Sequence, residues 1–169
     1  MSRRAIFLDR DGVINMKPPA GDYVRHSSEF RLVPTIAGWI RLFNVLDFAV
    51  IVVTNQRGIA RGLMSHSDVE EIHNRMLSEL AAEGARIDDI FYCPHDYNDN
   101  CNCRKPKTGM VEAARQKWDI DLAGSLMIGD SEKDAELAVR AGMKFLRVDE
   151  GRLMDPPESL QATPPDSGS

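Results

Sequence analysis

Acidic residues follow two short apolar runs of the chain. Asp9 and Asp11 come directly after Ala5–Leu8, and Asp130 comes just after residues 126–128. Each acid alone could equally cap a helix or face solvent, but three carboxylates that converge repel one another unless a cation neutralises them. Magnesium is held by few carboxylates together with waters and substrate phosphate. The pattern therefore indicates a Mg²⁺ site formed by Asp9, Asp11 and Asp130.

A second group of ligand-type residues lies within one short stretch. It consists of Cys93, His95, Cys101 and Cys103. The group contains all three cysteines of the chain. An odd number of closely spaced cysteines is a poor disulfide framework. Three thiolates and one imidazole are a common ligand set for closed, structural zinc. We expect a structural Zn²⁺ in loop 93–103, which would fix Arg104 and Lys105 directly after it.

The apolar pattern predicts the elements that position these side chains. Continuous apolar runs are typical of strands covered on both faces. They occupy Ala5–Leu8 and residues 48–53, 90–92, 126–128 and 144–148. Helical patterns separate them at residues 36–46, from Ser67 (a capping box with Glu70) to a stop at Gly84, at Gly109–Trp118, and at 131–141 with Gly142 ending the helix. This alternation predicts an α/β fold with a doubly wound parallel sheet. Ligands bind beyond the carboxyl ends of such strands, where Asp9, Thr54 and Asp130 fall.

Length and charge restrict the function classes. A chain of 169 residues suits one domain, which we expect at 1–154, followed by a flexible tail at 155–169. The net charge of −5 gives no overall basic field, so we expect no nucleic-acid partner. No apolar run reaches the ~20 residues of a membrane span, and no signal-peptide core is present. We expect a cytoplasmic monomer without a membrane partner, and we expect His26, His66 and His73 at its surface.

Four segments resemble, in order, the four motifs of haloacid-dehalogenase-like (HAD-like) phosphatases. They are Asp9-Arg10-Asp11-Gly12, Thr54-Asn55-Gln56, Arg104-Lys105-Pro106, and Gly129-Asp130 followed by Asp134. The resemblance implies that Asp9 is the nucleophile and that Asp11 is the general acid and base, with a backbone carbonyl on the metal. It also implies that Thr54 binds the phosphoryl oxygens and that Lys105 balances their charge. Asp134 is either a partner of Lys105 or the metal waters, or an exposed helical acid.

The Cys-x-His and Cys-x-Cys pairs narrow the resemblance to one branch of this family. That branch contains heptose 1,7-bisphosphate phosphatases and histidinol-phosphate phosphatases, which lack a large cap domain. The run after Thr54 resembles the substrate loop of the heptose enzymes, so removal of the 7-phosphate of heptose 1,7-bisphosphate is the preferred interpretation and histidinol phosphate the alternative. The candidate substrate contacts are Tyr23, Asn55, Gln56, Arg57, Arg61 and Arg104. Arg61 could instead pair with an acid.

Functions of other classes fit the residues less well. A receiver-like signalling domain also combines a doubly wound sheet with clustered acids, but its phosphorylated aspartate ends the third strand. Here the third predicted strand runs into Cys93. A zinc-based nucleic-acid module would need an aromatic and basic stripe, which the sequence lacks.

Overall fold

The computed structural model describes residues 2–149 and 152–153, and its centre is a six-stranded sheet. The strands are β1 (Ala5–Leu8), β2 (Ala49–Asn55), β3 (Asp89–Cys93), β4 (Leu126–Gly129), β5 (Lys144–Asp149) and β6 (Arg152–Leu153). Their order is β3-β2-β1-β4-β5-β6; β1 to β5 are parallel and β6 is antiparallel to β5. The predicted doubly wound parallel sheet is confirmed. The short β6 was not predicted, and the expected tail at 155–169 lies outside the described residues.

Four helices cover the two faces of this sheet. They are α1 (Ile36–Val45), α2 (His66–Ala82), α3 (Gly109–Trp118) and α4 (Glu132–Ala141). Alternate residues of β1 face opposite layers. Ile6 and Leu8 pack in the cluster with α1 and α2, while Ala5 and Phe7 pack in the cluster with α3 and α4. Because both faces are buried, each strand needs a continuous apolar run, which is the pattern in the sequence.

The helix ends show one error in the sequence interpretation. The cap of α2 is Ser65, whose Oγ accepts a hydrogen bond from the Asp68 amide at 3.0 Å while Asp68 Oδ2 accepts from the Ser65 amide at 2.7 Å. The predicted pair of Ser67 and Glu70 is therefore wrong. The same serine-to-acid spacing occurs two residues earlier, and the shorter aspartate closes that capping box.

The carboxyl ends of the strands are left open by the connections that the structure describes. Residues 12–35 join β1 to α1 and contain one short 3-10 helix, Ser27–Glu29. Residues 94–108 join β3 to α3 as a loop. Over the described ranges, neither connection contains an inserted cap domain, which agrees with the prediction. None of the described helices is both long enough and apolar enough to cross a membrane.

Candidate active site

The cleft lies where the strand order reverses, at the carboxyl ends of β1 and β4. Its volume is about 380 Å³. Its lining residues are Asp9, Asp11, Lys17, Asn55, Arg104, Lys105, Asp130, Ser131, Glu132 and Lys133. Asp9 directly follows β1 and Asp130 directly follows β4, so adjacent parallel strands deliver both acids to one edge. The structure thus brings together the acids and the lysine that the sequence singled out.

Lys105 is a buried cation between two carboxylates. Only 3% of it is exposed, and its Nζ lies 3.0 Å from Asp9 Oδ1 and 2.7 Å from Asp134 Oδ1. Burial raises the pKa of Asp9 to about 7, although the charge of Lys105 opposes this effect and Asp134 adds to it. Burial alone would lower the pKa of Lys105, but the charges of Asp9 and Asp134 outweigh it and raise that pKa. Lys105 is therefore held in its charged form.

Asp134 is the partner of Lys105 and not an exposed helical acid. Its side chain is fully buried, and Oδ2 accepts a hydrogen bond from Ser131 Oγ at 2.8 Å. A Cβ atom on Gly129 would lie 2.3 Å from Cβ of Asp134. Glycine at that position therefore permits the close approach of α4 to the end of β4.

Asp11 is held by donors that surround its carboxylate. Oδ1 accepts from Arg10 Nη2 at 3.0 Å and from Asn15 Nδ2 at 2.9 Å, and Oδ2 accepts from Gln56 Nε2 at 3.3 Å. Burial would raise the pKa of Asp11, but the charge of Arg10 and these hydrogen bonds outweigh it and hold the pKa below its ordinary value. Sequence reasoning missed the part played by Arg10, although it stands between the two motif acids.

His73 is the second correction to the sequence analysis. It was expected at the surface, but only 6% of it is exposed and its Nε2 lies 3.1 Å from Arg10 Nη1. His26 and His66 are exposed, as expected. A histidine between polar residues of α2 resembles a surface residue, and only the tertiary contact with Arg10 shows that it faces inward.

The acids of the cleft fit magnesium. Carboxylate oxygens of Asp9, Asp130 and Asp134 lie within 4.8 Å of one another, and hard oxygen ligands are those that Mg²⁺ prefers. Asp134 is committed to Lys105, so Asp9 and Asp130 are the carboxylates available to a cation. Lys17, which the sequence analysis did not select, places its Nζ 2.6 Å from Asp130 Oδ2.

The Cys and His residues of the 93–103 loop form one compact group. Cys93 Sγ lies 3.0 Å from Cys103 Sγ and 3.7 Å from Cys101 Sγ, and His95 Nδ1 lies 3.2 Å from Cys103 Sγ. These sulfur atoms are too far apart for a disulfide, which needs ~2.05 Å. Sulfur ligands at ~2.3 Å around a tetrahedral zinc are separated by ~3.8 Å. The four donor atoms therefore fit a structural Zn²⁺ once they move apart slightly.

Two amides that were expected to contact substrate are used inside the protein. Asn55 Oδ1 accepts from the Lys105 amide at 3.0 Å and Asn55 Nδ2 donates to the Lys105 carbonyl at 3.2 Å. Gln56 is buried, and its Nε2 donates to Thr54 Oγ1 at 2.9 Å as well as to Asp11. Asn55 therefore fixes the backbone of Lys105, and Gln56 joins buried Thr54 to Asp11.

Three cations surround Tyr97 at the rim of the cleft. Arg104, Arg57 and Lys133 lie 4.2, 4.4 and 4.9 Å from its ring centroid. Tyr97 is 59% exposed, and sequence reasoning selected neither it nor Lys133. Arg57 also pairs with Asp96 at 2.5 Å, so its charge is partly neutralised. Of these three cations, Arg104 and Lys133 line the cleft and Arg57 does not.

Two other expected substrate contacts lie beside the cleft. Tyr23 lines a neighbouring groove of about 540 Å³ that shares Lys17 with the cleft. The Arg61 guanidinium lies 5.9 Å from the ring centroid of Tyr23. The structure thus groups Tyr23 with Arg61 but does not bring either of them to Asp9.

Comparison with known proteins agrees with this geometry. A family model described as HAD-hydrolase-like matches residues 102–167. A D-glycero-beta-D-manno-heptose-1,7-bisphosphate 7-phosphatase of Rhodopseudomonas palustris is 42% identical over 90% of this chain and 87% of its own length. A D-glycero-alpha-D-manno-heptose-1,7-bisphosphate 7-phosphatase of Campylobacter jejuni is 38% identical over 86% of this chain and 82% of its own length.

A solved structure is similar as well. The D,D-heptose 1,7-bisphosphate phosphatase of B. bronchiseptica, complexed with magnesium and phosphate, superimposes with a TM-score of 0.80 at 38% identity, covering 85% of this chain and 79% of that one. Both curated relatives and this solved structure match more than four fifths of this chain at 38% identity or more. The chain belongs to the HAD-like phosphatase family, in the group that contains the heptose 1,7-bisphosphate 7-phosphatases.

Proposed function

We propose that the chain hydrolyses the 7-phosphate of a D-glycero-D-manno-heptose 1,7-bisphosphate through an aspartyl phosphate at Asp9. The observation that carries the proposal is the position of Asp9 at the open end of β1, with Oδ1 held by Lys105 Nζ and by the Arg10 amide. Among the described residues, Oδ2 accepts no hydrogen bond and is the free nucleophilic atom. The names of the relatives support the choice of sugar.

The first half-reaction transfers the phosphoryl group to the protein. Asp9 Oδ2 attacks phosphorus, the new O–P bond forms, and the bond from phosphorus to the sugar oxygen breaks. Asp11 donates a proton to the departing oxygen. Lys105 balances charge beside Asp9, and the Thr54 hydroxyl is a hydrogen-bond donor for the phosphoryl oxygens. Such chemistry depends mostly on position and electrostatic stabilisation, which buried and fixed groups supply.

The second half-reaction returns Asp9 to its free form. Asp11, now a carboxylate, takes a proton from water, and the resulting hydroxide attacks phosphorus and breaks the O–P bond to Asp9. Arg10 keeps the Asp11 carboxylate in place between these two proton transfers.

We propose Mg²⁺ as the catalytic cofactor and Zn²⁺ as a structural one. Asp9 and Asp130 would hold Mg²⁺ with the backbone carbonyl of Asp11, and bound Mg²⁺ neutralises charge on the phosphoryl group. Zn²⁺ would be bound by Cys93, His95, Cys101 and Cys103. Its task would be to hold the loop that leads into Arg104 and Lys105 and so keep Lys105 in place.

The remaining substrate contacts follow from the rim of the cleft. A second phosphate meets Arg104 and Lys133, which line the cleft. Arg57 would contact this phosphate more weakly, because Asp96 already pairs with it. Tyr23 and Arg61 would reach the sugar only from the neighbouring groove.

We also propose that the protein is a monomer. The large exposed apolar side chains include Val45 on α1 and Val139 on α4, which lie on opposite layers of the sheet. They do not form one patch that a second copy could cover. Sedimentation at two protein concentrations tests this, and a dimer would contradict it.

The substrate is tested by side-by-side rates with Mg²⁺. The α and β anomers of heptose 1,7-bisphosphate, fructose 1,6-bisphosphate and histidinol phosphate form the panel, and a heptose anomer should give the highest kcat/KM. A preference for histidinol phosphate would overturn the assignment. Asp9→Asn should abolish turnover, whereas the control Asp47→Asn, an exposed acid, should not. Turnover retained by Asp9→Asn would overturn the mechanism.

A further inference from the structure

Arg10 carries a buried positive charge beside the proposed acid and base. It is the largest fully buried side chain of the described residues. Its Nε and Nη2 lie 3.3 Å and 3.0 Å from Oδ1 of Asp11. A buried charge needs partners at every edge, because an unpaired one is strongly destabilising. Asp11 occupies one edge of the guanidinium, and Nη1 is left for another acceptor.

His73 supplies that acceptor. Its Nε2 lies 3.1 Å from Arg10 Nη1. Arginine has only donors, so Nε2 must carry a lone pair and the ring proton must be on Nδ1. Burial, together with the charge of Arg10, lowers the pKa of His73 to about 3, although the charge of Asp11 opposes this shift. The ring is therefore neutral at physiological pH and can hold the guanidinium in one orientation.

The orientation of Arg10 decides which oxygen of Asp11 is free. Oδ1 accepts hydrogen bonds from both Arg10 Nε and Nη2 and from Asn15, whereas Oδ2 accepts only the 3.3 Å bond from Gln56 among the described residues. Oδ1 is thereby saturated. Oδ2 is the oxygen that remains for proton transfer toward the cleft.

We propose that His73 is a positioning residue for proton transfer by Asp11 and that it acts through Arg10. The inference rests on the proposed function, because it takes Asp11 as the acid and base. A histidine with a merely structural role in the core would affect stability and would influence all substrates alike. A positioning role affects substrates according to how much they need a proton on the leaving group.

Leaving-group dependence separates these roles. The alcohol of a sugar phosphate is a poor leaving group and must be protonated as it departs. The leaving group of p-nitrophenyl phosphate is a stabilised phenolate, which departs without a proton. The parameter kcat/KM covers the steps up to departure of the alcohol or phenol. The two probes are p-nitrophenyl phosphate and whichever substrate of the panel above the wild-type protein hydrolyses fastest.

Three variants of α2 form the experiment. His73→Leu removes the acceptor, His73→Gln retains one, and Leu80→Ala truncates a fully buried core residue about two turns along α2 from His73. For His73→Leu we expect kcat/KM to fall by about 10- to 100-fold on the sugar phosphate and by less than about 3-fold on p-nitrophenyl phosphate. His73→Gln should recover most of that loss. Leu80→Ala should lower the Tm and leave the ratio between the two substrates unchanged.

The outcomes are distinguishable. The positioning role is overturned, while the proposed function stands, if His73→Leu lowers kcat/KM equally on both substrates. The same holds if His73→Gln restores none of the kcat/KM that His73→Leu loses on the sugar phosphate. If the wild-type protein hydrolyses neither probe, the proposed function itself fails. Nitrogen NMR of wild-type His73 needs no variant, and it tests the premise of the inference where His73→Leu does not fold. The Nδ1–H tautomer with unprotonated Nε2 supports the inference, and a proton on Nε2 refutes it.

Discussion

Replacing Asp9 with Asn should stabilise the metal-free protein at neutral pH. Burial raises the pKa of Asp9 from 3.8 to about 7, against the charge of Lys105. The wild-type protein must therefore ionise a buried carboxyl above that pH, which an amide avoids. The difference between 3.8 and about 7, at ~1.36 kcal/mol for each pH unit, amounts to at most about 4 kcal/mol. Asp9→Asn should be more stable than wild type by up to this amount at neutral pH and by almost nothing at acidic pH.

The sign of the pH dependence follows from proton binding. Between about pH 4 and 7 the folded protein binds more protons at Asp9 than the unfolded chain does, so this residue makes stability fall as pH rises. His73 has the opposite effect, because burial lowers its pKa from 6.5 to about 3 and the unfolded chain binds the proton more tightly. The two contributions oppose each other in the wild type. In Asp9→Asn the Asp9 contribution is absent and the His73 contribution remains, so its stability should rise with pH up to about 6.5.

Urea unfolding at about pH 4.5 and at about pH 7.5 measures both effects. The buffer must lack magnesium but leave bound zinc in place. Asp47→Asn is the matched control, because it makes the same chemical change at an exposed acid that does not line the cleft. Added Mg²⁺ should stabilise the wild type and not Asp9→Asn. An equal change in unfolding free energy at both pH values, or a larger destabilisation at neutral pH, would refute the reasoning.

Three other variants test the supports of the cleft. Asn55→Ala removes both hydrogen bonds to the Lys105 backbone, so kcat should fall by about 10- to 100-fold with little change in fold, as judged by circular dichroism; an unchanged kcat would contradict this. Cys101→Ala should lose zinc, measured by metal analysis, and should lose turnover while the sheet is still folded. Unchanged zinc content and turnover would refute the proposed structural zinc site. Lys17→Met removes a competing cation from Asp130, so calorimetry should show Mg²⁺ binding up to about 5-fold tighter, and weaker binding would argue against competition.

The fold could be predicted because each strand carries its own signal. Burial on both faces demands continuous apolar runs, and these ended within two residues of the observed strands. The termination of α4 was also predictable, since Gly142 adopts the left-handed conformation (φ 72°) that ends a helix. The start of α2 was not, because two serines each precede an acid by three residues and only packing chooses Ser65.

Only the residues of the cleft that belong to the four motifs could be predicted from the sequence. Asp9, Asp130 and Lys105 follow predicted strands or loops, and chain topology brings them together. Arg10 and His73 are 63 residues apart in the chain, and nothing in the sequence around either of them indicates that they are in contact. Tyr97 likewise stands in a polar loop, and its role as a centre for cations depends on side chains from three separate segments.

The two proposed catalytic carboxylates, Asp9 and Asp11, are only two residues apart, yet each lies beside its own buried cation and their pKa values shift in opposite directions. The pKa of Asp9 is raised by burial despite Lys105, and the pKa of Asp11 is lowered, against its own burial, chiefly by Arg10. Both pKa shifts oppose the first half-reaction, since the nucleophile Asp9 must be ionised and the acid Asp11 must be protonated. In the proposed mechanism, Mg²⁺ held by Asp9 would favour its carboxylate form, and an incoming phosphate dianion would favour the proton on Asp11. On this reasoning, metal and substrate together would shift both carboxyl groups toward the protonation states that the proposed first half-reaction needs, so turnover should depend on both being bound.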